Sequence, residues 1–398
     1  MTDKSFQKEH MFKTISKIAL SLNSNLALFN NNMSLDSGRT GAALFHFYYG
    51  LFLEDSQYLD SAREVFTAGM AAFDIKQFVK VYSSDSLDNH LAGIGRFVEF
   101  CNRHKLLEIN VNSYLEQLDN ALAGLMRSKI TIGDFDYNSG AVASGYYFLS
   151  RLSSNDKVKV NLSELVHGIA DKAIQDDEGH WYWESPTLYR NTYFGISHGS
   201  AMIISIVGSL AEKGIETALC LEILEKSVPF VLKHKRQVKY GHFPISNGDE
   251  SFDEKPFCIC YGDLSVALSL VKARRFIKND DLDDIIHKIL KESYERKPGI
   301  YPRDASITYG AAGLAEMFNA LFDLTDDQEC HKAAGYWYQE IPRFASYEND
   351  FAGFYSMTTK EKDFWNLSFG WGVAGIGITL MRYLKPELPA FNELLMIA

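Results

Sequence analysis

The stretch Ser368-Phe369-Gly370-Trp371-Gly372-Val373-Ala374-Gly375-Ile376-Gly377-Ile378-Thr379-Leu380 is a glycine-rich entry into an apolar helix. Its glycines remove side chains where two backbones must come close. Ile376, Leu380 and Tyr383 then continue a helical apolar stripe. Weaker copies recur along the whole chain. Gly310-Ala311-Ala312-Gly313 follows Thr308-Tyr309, Gly262 follows Cys260-Tyr261, and Gly199 follows Ser197-His198. Gly140-Ala141-Val142-Ala143 and Gly38-Arg39-Thr40-Gly41 are two more. His90-Leu91-Ala92-Gly93 completes the set, with His90 where the first glycine would fall.

The seven copies begin at positions 38, 90, 140, 199, 262, 310 and 372, in steps of 48 to 63 residues. A period of that size suits one helix pair per repeat. Between the motifs the pattern alternates. Apolar segments (Ala42 to Leu53, Gly93 to Phe100, Gly145 to Leu152, Ala201 to Leu210, Leu264 to Val271, Leu314 to Leu324) are each followed by an amphipathic one. A helix apolar on most faces is buried, and one with a single apolar stripe covers it from outside. These observations predict an all-α fold: an α/α toroid of seven inner and seven outer helices, with the glycine turns gathered at one end. No linker or low-complexity spacer interrupts the repeats, so residues 1–398 are expected to form a single domain.

Composition narrows the function. A hydrophobic content of 46%, with 27 Phe and 21 Tyr, supplies a large core. The net charge of −11 and the lack of a basic stripe argue against a nucleic-acid partner. No run approaches the roughly 20 apolar residues of a membrane span. Met1 to Leu20 is polar and mixed in charge, unlike a signal peptide. Five sparse cysteines without an export signal fit a reduced, cytoplasmic protein. Two segments break the repeat, Asp177 to Asn191 and Lys239 to Phe257. Their aromatic residues read either as substrate walls at the mouth or as a cap on the barrel end.

The glycine motifs, Gly241-His242-Phe243-Pro244, Cys260-Tyr261-Gly262-Asp263, the closing Ser368 to Leu380 stretch and the tail Phe391 to Ile397 resemble the lanthionine synthetase C family of cyclases. The resemblance spans roughly positions 30 to 397. It implies a toroid of seven helix pairs. It also implies a zinc ion held by two cysteines and a histidine, which ionises a peptide cysteine for addition to dehydroalanine or dehydrobutyrine.

Residue by residue the carry-over is partial. Cys260 matches the first zinc ligand, but Thr308 and Tyr309 stand where a Cys-His pair supplies the other two. His198 and Asp136 match the groups proposed to move protons. Tyr261 and Tyr309 are further pocket candidates. A catalytic zinc needs three protein ligands and an open position. With Cys260 alone no cofactor is expected. Cys258, His46, His90, His242 and Cys330 could rebuild a metal site only if the fold collected them, and nothing in their spacing does so.

Each candidate has a plain alternative. Cys260 is either a buried, inert thiol or a reactive one at a helix N-terminus. His198 is either a general acid or base, or a hydrogen-bonded histidine sealing a turn. Asp136 either orients His198 or caps the following helix. Tyr309 either donates a hydrogen bond to a developing enolate or fills the space of the metal.

The expected function is thioether ring formation, by addition of a Cys thiol to dehydroalanine or dehydrobutyrine in a ribosomally made precursor peptide, without zinc. The expected partners are that dehydrated peptide and its dehydratase. The alternative is a non-catalytic scaffold binding the peptide or the dehydratase. A carbohydrate-active α/α barrel ranks lower, because Asp263, Asp304 and Glu316 show no paired-carboxylate pattern.

Overall fold

A computed structural model describes residues 3–82, 84–248, 255–299, 301–356 and 363–397. In chain order the helices are α1 (Asp3–Asn25), α2 (Arg39–Leu53), α3 (Ser56–Ala72), α4 (Leu87–Arg103), α5 (Asn112–Thr131), α6 (Ala141–Arg151), α7 (Lys159–Asp171), α8 (Ser200–Glu212), α9 (Thr217–Lys233), α10 (Asp263–Arg274), α11 (Asp280–Glu295), α12 (Ala311–Thr325), α13 (Gln328–Glu340), the short α14 (Asp363–Leu367) and α15 (Val373–Leu384). The strands described are β1 (Ile174–Gln175) and β2 (Trp181–Tyr182), an antiparallel pair.

Burial sorts these helices into two layers. In α8 every residue from Ser200 to Ala211 except Ser209 is buried, so no face is left for solvent. In α11 only Leu282, Ile285, Ile286, Ile289, Leu290 and Ser293 are buried, the single stripe of a covering helix. That helix starts where the Asn279 side chain accepts from the Leu282 N–H at 3.1 Å. Asp280, Asp281 and Asp283 in its first turn favour the positive end of the helix dipole.

The inner layer is α2, α4, α6, α8, α10, α12 and α15, each touching the next, with α15 returning to α2. The outer layer is α3, α5, α7, α9, α11 and α13, plus α1 from the other end of the chain. Helix α1 packs on α15 and α2, so the first helix completes the last pair and the ring closes. This is the expected α/α toroid of seven inner and seven outer helices. No helix among the described residues is long and apolar enough to cross a membrane.

Glycine caps six of the inner helices: Gly38, Gly140, Gly199, Gly262, Gly310 and Gly372. A Cβ at any of them would collide with backbone of the preceding loop. Gly199 and Gly262 have φ of +99° and +98°, a region closed to most side-chain-bearing residues. In four repeats the N–H of the first helical residue bonds to a carbonyl seven residues back: Arg39 to Asn32 and Ala141 to Asp134 at 2.9 Å, Ser200 to Tyr193 at 2.9 Å, Ala311 to Asp304 at 3.0 Å.

The second repeat departs from the alignment. Its cap is Ser86, whose hydroxyl accepts from the Asn89 N–H at 3.1 Å. A side-chain cap replaces the glycine, and α4 begins one turn earlier. His90 therefore lies inside the helix, paired with Asp85 at 2.9 Å, rather than at the cap.

After α15 the chain turns inward. Phe391, Leu394, Leu395 and Ile397 are buried against the inner helices. The Tyr48 hydroxyl donates to the Pro389 carbonyl at 2.7 Å. Arg96 donates to the carbonyls of Glu393 at 2.8 Å and Leu395 at 3.3 Å, and the Tyr146 hydroxyl to that of Met396 at 3.2 Å.

Closure depends on Gly377, where α15, α2 and α1 meet. An added Cβ would collide with the Phe45 ring and lie 3.3 Å from Ile18 Cγ2. Gly377→Val should cost about 1–3 kcal/mol by overpacking. Chemical denaturation followed by circular dichroism should show it as a lower midpoint. An unchanged midpoint would mean that the seam is loosely packed.

Candidate functional site

The loop geometry at each cap decides which side chains reach the centre. The two residues before a cap project over the end of the bore. They are Ser197 and His198 before Gly199, Cys260 and Tyr261 before Gly262, Thr308 and Tyr309 before Gly310, and Gly370 and Trp371 before Gly372. Asp36, Ser84 and Asn138 stand two residues before their own caps. Together they line a cavity of about 350 Å³. The tail residues Leu394, Leu395 and Met396 also line it.

Asp136 and His198, 62 positions apart, meet at this cavity. His198 Nδ1 and Asp136 Oδ2 form a hydrogen bond, with both residues buried. The other Asp136 oxygen accepts from the N–H groups of Asn138 at 2.8 Å and Ser139 at 3.4 Å. The carboxylate holds the imidazole ring but does not cap α6, whose N-cap is Gly140 without a side-chain bond. One oxygen shapes the turn into α6, and the other holds the imidazole. His198 lines the cavity, and its Nε2 has no protein partner among the described residues. The Tyr261 ring lies 5.8 Å from the imidazole. Burial raises the Tyr261 hydroxyl far above its ordinary pKa, with Cys260 and Asp136 adding to the shift.

Cys260 is 5% exposed. Burial drives its thiol pKa well above the ordinary value, and the neighbouring Cys258 adds to this. Hydrogen bonds with Ser197 and Tyr309 pull the other way without reversing it. Burial likewise pushes Cys258 up to about 11. Tyr309 is also raised, first by burial and then by the neighbouring Cys260.

These residues do not fit a zinc ion. The Thr308 hydroxyl donates to the Gly370 carbonyl at 2.8 Å, the same oxygen that accepts from its own N–H at 2.9 Å. A neutral alcohol turned to the backbone and a half-buried phenol do not replace an imidazole and a thiolate. Cys258 points its thiol at the Tyr261 carbonyl, 3.5 Å away. The other candidates are dispersed. His46 is buried with neither ring nitrogen partnered among the described residues, and burial lowers its pKa to about 4. His90 pairs with Asp85, His242 with Glu292 at 3.0 Å, and Cys330 with the Tyr294 hydroxyl at 3.3 Å. No cluster of three potential ligands occurs among the described residues.

The aromatic loops are mostly structural. Trp183 donates to the Ile169 carbonyl at 2.9 Å, and Lys226 lies over the buried Trp181 ring at 4.3 Å. Leu188 alone of the first loop reaches the cavity wall. In the second loop, Asp263 accepts from the N–H groups of Gly241 at 2.7 Å and Phe243 at 3.1 Å. Residues 249–254 of that loop lie outside the described residues. Asp263, Asp304 and Glu316 do not line the cavity. Asp304 is turned to Ser306, and Glu316 is buried between Tyr338 and Arg382.

Sequence reasoning missed Asp36, Tyr82, Asn138, Trp365 and Trp371, all on the cavity wall. Three of them carried a readable signal. Asp36, Asn138 and Trp371 stand one or two residues ahead of a glycine cap, as His198 and Cys260 do.

A closed ring of seven helix pairs, with a buried Asp-His pair at the glycine-capped end, defines an α/α toroid with a central site. The chain belongs to the lanthionine synthetase C-like protein family, whose sequence profile matches residues 30–396. A solved structure similar to it is that of a nisin cyclase, with a TM-score of 0.74, 15% identity and coverage of 97% of both chains. At that identity the likeness carries the fold. Comparison with curated proteins gives no match.

The buried thiols yield a direct test. At about pH 8 the folded chain should leave its five cysteines essentially unreacted with DTNB over minutes, and all should react once it unfolds. Rapid labelling of Cys260 in the folded protein would show instead that a thiolate persists there.

Proposed function

We propose that this protein closes thioether rings in a dehydrated, ribosomally made peptide, using the His198-Asp136 pair as its proton-transfer group and no step through zinc. The family and the nisin cyclase-like fold support a peptide substrate. The observation that carries the reading is the His198 imidazole, held at Nδ1 by Asp136 and presenting Nε2 to the cavity.

In this reaction the peptide Cys S–H gives its proton to His198 Nε2. The sulfur bonds to the β-carbon of dehydroalanine or dehydrobutyrine, and the C=C electrons pass to the α-carbon and its carbonyl. The imidazolium then returns the proton to the α-carbon, so the net change is an isomerisation. Asp136 fixes the tautomer and favours the imidazolium between the two transfers. Confinement of thiol and alkene in one cavity adds a proximity contribution. Cys260, kept protonated by burial, is part of the wall in this scheme, and Tyr309 occupies space beside it.

The poor fit of the donor set to zinc favours a second reading, a scaffold that binds the peptide or its dehydratase without turnover. One experiment separates them. Incubation with a Cys-containing dehydrated peptide, followed by alkylation and mass spectrometry, counts the remaining free thiols. The cyclase reading expects thiol loss faster than in buffer, unaffected by a chelator. It also expects His198→Ala to slow the loss by about 10²–10⁴-fold. Asp136→Asn should slow it by less. Thiol loss at the buffer rate would leave the scaffold reading. Chelator-sensitive turnover with stoichiometric zinc would overturn the metal-free scheme.

A further inference from the structure

The cavity wall opposite His198 is built from three aromatic rings and a carboxylate that the reaction does not use. Trp365 and Trp371 stack at 4.8 Å between centroids, with planes 17° apart. Tyr82 stands edge-on to both, at 6.1 Å and 5.4 Å. All three are half-buried and line the cavity. Asp36 lines it beside them, its carbonyl accepting from the Gly370 N–H at 2.8 Å. The Asp36 carboxylate has no hydrogen-bond partner among the described residues. No Lys or Arg is among the described residues lining the cavity.

Other charges reach Asp36 only through space. Arg96 acts on it electrostatically, but its guanidinium donates to the Tyr137 hydroxyl at 2.7 Å and to the Glu393 and Leu395 carbonyls. Asp85 opposes Arg96, and His90 is occupied with Asp85. Burial is the main influence on Asp36 and raises its pKa, the mark of a carboxylate short of a counter-charge. Aromatic faces attract cations through the ring quadrupole, and more strongly when the cation is desolvated. An unpartnered carboxylate beside such rings is the chemistry that selects an organic cation.

We propose that Asp36, Tyr82 and Trp371 form a subsite for the ammonium or guanidinium head of a Lys or Arg side chain in the bound peptide. The site would select substrates carrying a basic residue near the reacting Cys, and would anchor that residue while the ring closes. That the cation belongs to a peptide rests on the cyclase reading. The cation subsite itself rests on the wall.

The test is calorimetric titration of the full chain with N-acetyl-lysine methylamide and with its norleucine counterpart. The lysine derivative should bind about tenfold more tightly. Added salt should erode the preference without any mutation. Asp36→Asn should abolish it, and Trp371→Leu, which keeps the carboxylate, should reduce it several-fold. Equal binding of the two derivatives to the natural protein would overturn the subsite, as would a preference that survives Asp36→Asn. A cyclisable peptide containing Lys should displace the lysine derivative at lower concentration than the same peptide with norleucine. No difference between them would overturn the assignment to a peptide side chain. Ring closure without any lysine preference would remove the subsite and leave the cyclase. A lysine preference without ring closure would do the reverse.

Discussion

Backbone touching backbone at the head of each inner helix is the constraint on which the molecule depends. At six caps there is no room for a Cβ, because the preceding loop folds back onto the helix start. Where the loop is tightest, the first helical N–H is satisfied by a carbonyl seven residues earlier. This contact meets one of the donor groups that every helix start leaves open. It also sets the direction of the loop. Having folded back, the chain has two residues left before the cap, and they overhang the bore. The fold and the site thus share one cause, and a substitution at a cap would disturb both.

Ring closure adds a second constraint. In an open stack the end pairs would expose an apolar face. Here α1 and α15, from opposite ends of the chain, complete one pair, and Gly377 admits the close approach. The tail then fills the bore on the far side of the cavity, held by Tyr48, Arg96 and Tyr146 through its backbone carbonyls. Buried carbonyls need such partners. The cavity therefore has a floor made from the last residues of the chain and walls made from seven different repeats.

The ring was legible because its signals are local: small residues at a recurring spacing, and apolar segments alternating with amphipathic ones. The meeting of Asp136 and His198 was legible only through the family resemblance, which matches each to a place ahead of a glycine, since 62 residues separate them. Other features resisted for physical reasons. The second repeat lacks a glycine because Ser86 does the same work through its hydroxyl, so aligning on His90 placed the helix start one turn late. Trp181 and Trp183 suggested a substrate wall, yet their rings are buried in the core, and a tryptophan looks the same in sequence in either setting. The cavity wall of Asp36, Tyr82, Trp365 and Trp371 joins residues more than 300 positions apart, which only the closed ring brings together.

A donor set that does not fit zinc alters what the remaining residues must do in the proposed reaction. Zinc would ionise a sulfur by direct coordination and would leave histidine with the carbon-bound proton alone. Thr308 is committed to the Gly370 carbonyl, and Cys260 is held as a thiol by burial. Neither supplies charge to an incoming sulfur. On the proposed reaction the proton of that sulfur must then go to His198 as well, and one imidazole serves both ends of the addition. An imidazole can do this only if its cation is tolerated inside a buried pocket. Asp136 meets that requirement, because its second oxygen is already satisfied by the Asn138 and Ser139 N–H groups and its first is free to face the ring. The same pocket would gain from a positive group on the peptide lying near Asp36, away from the imidazole, so that the two cations are held by separate carboxylates.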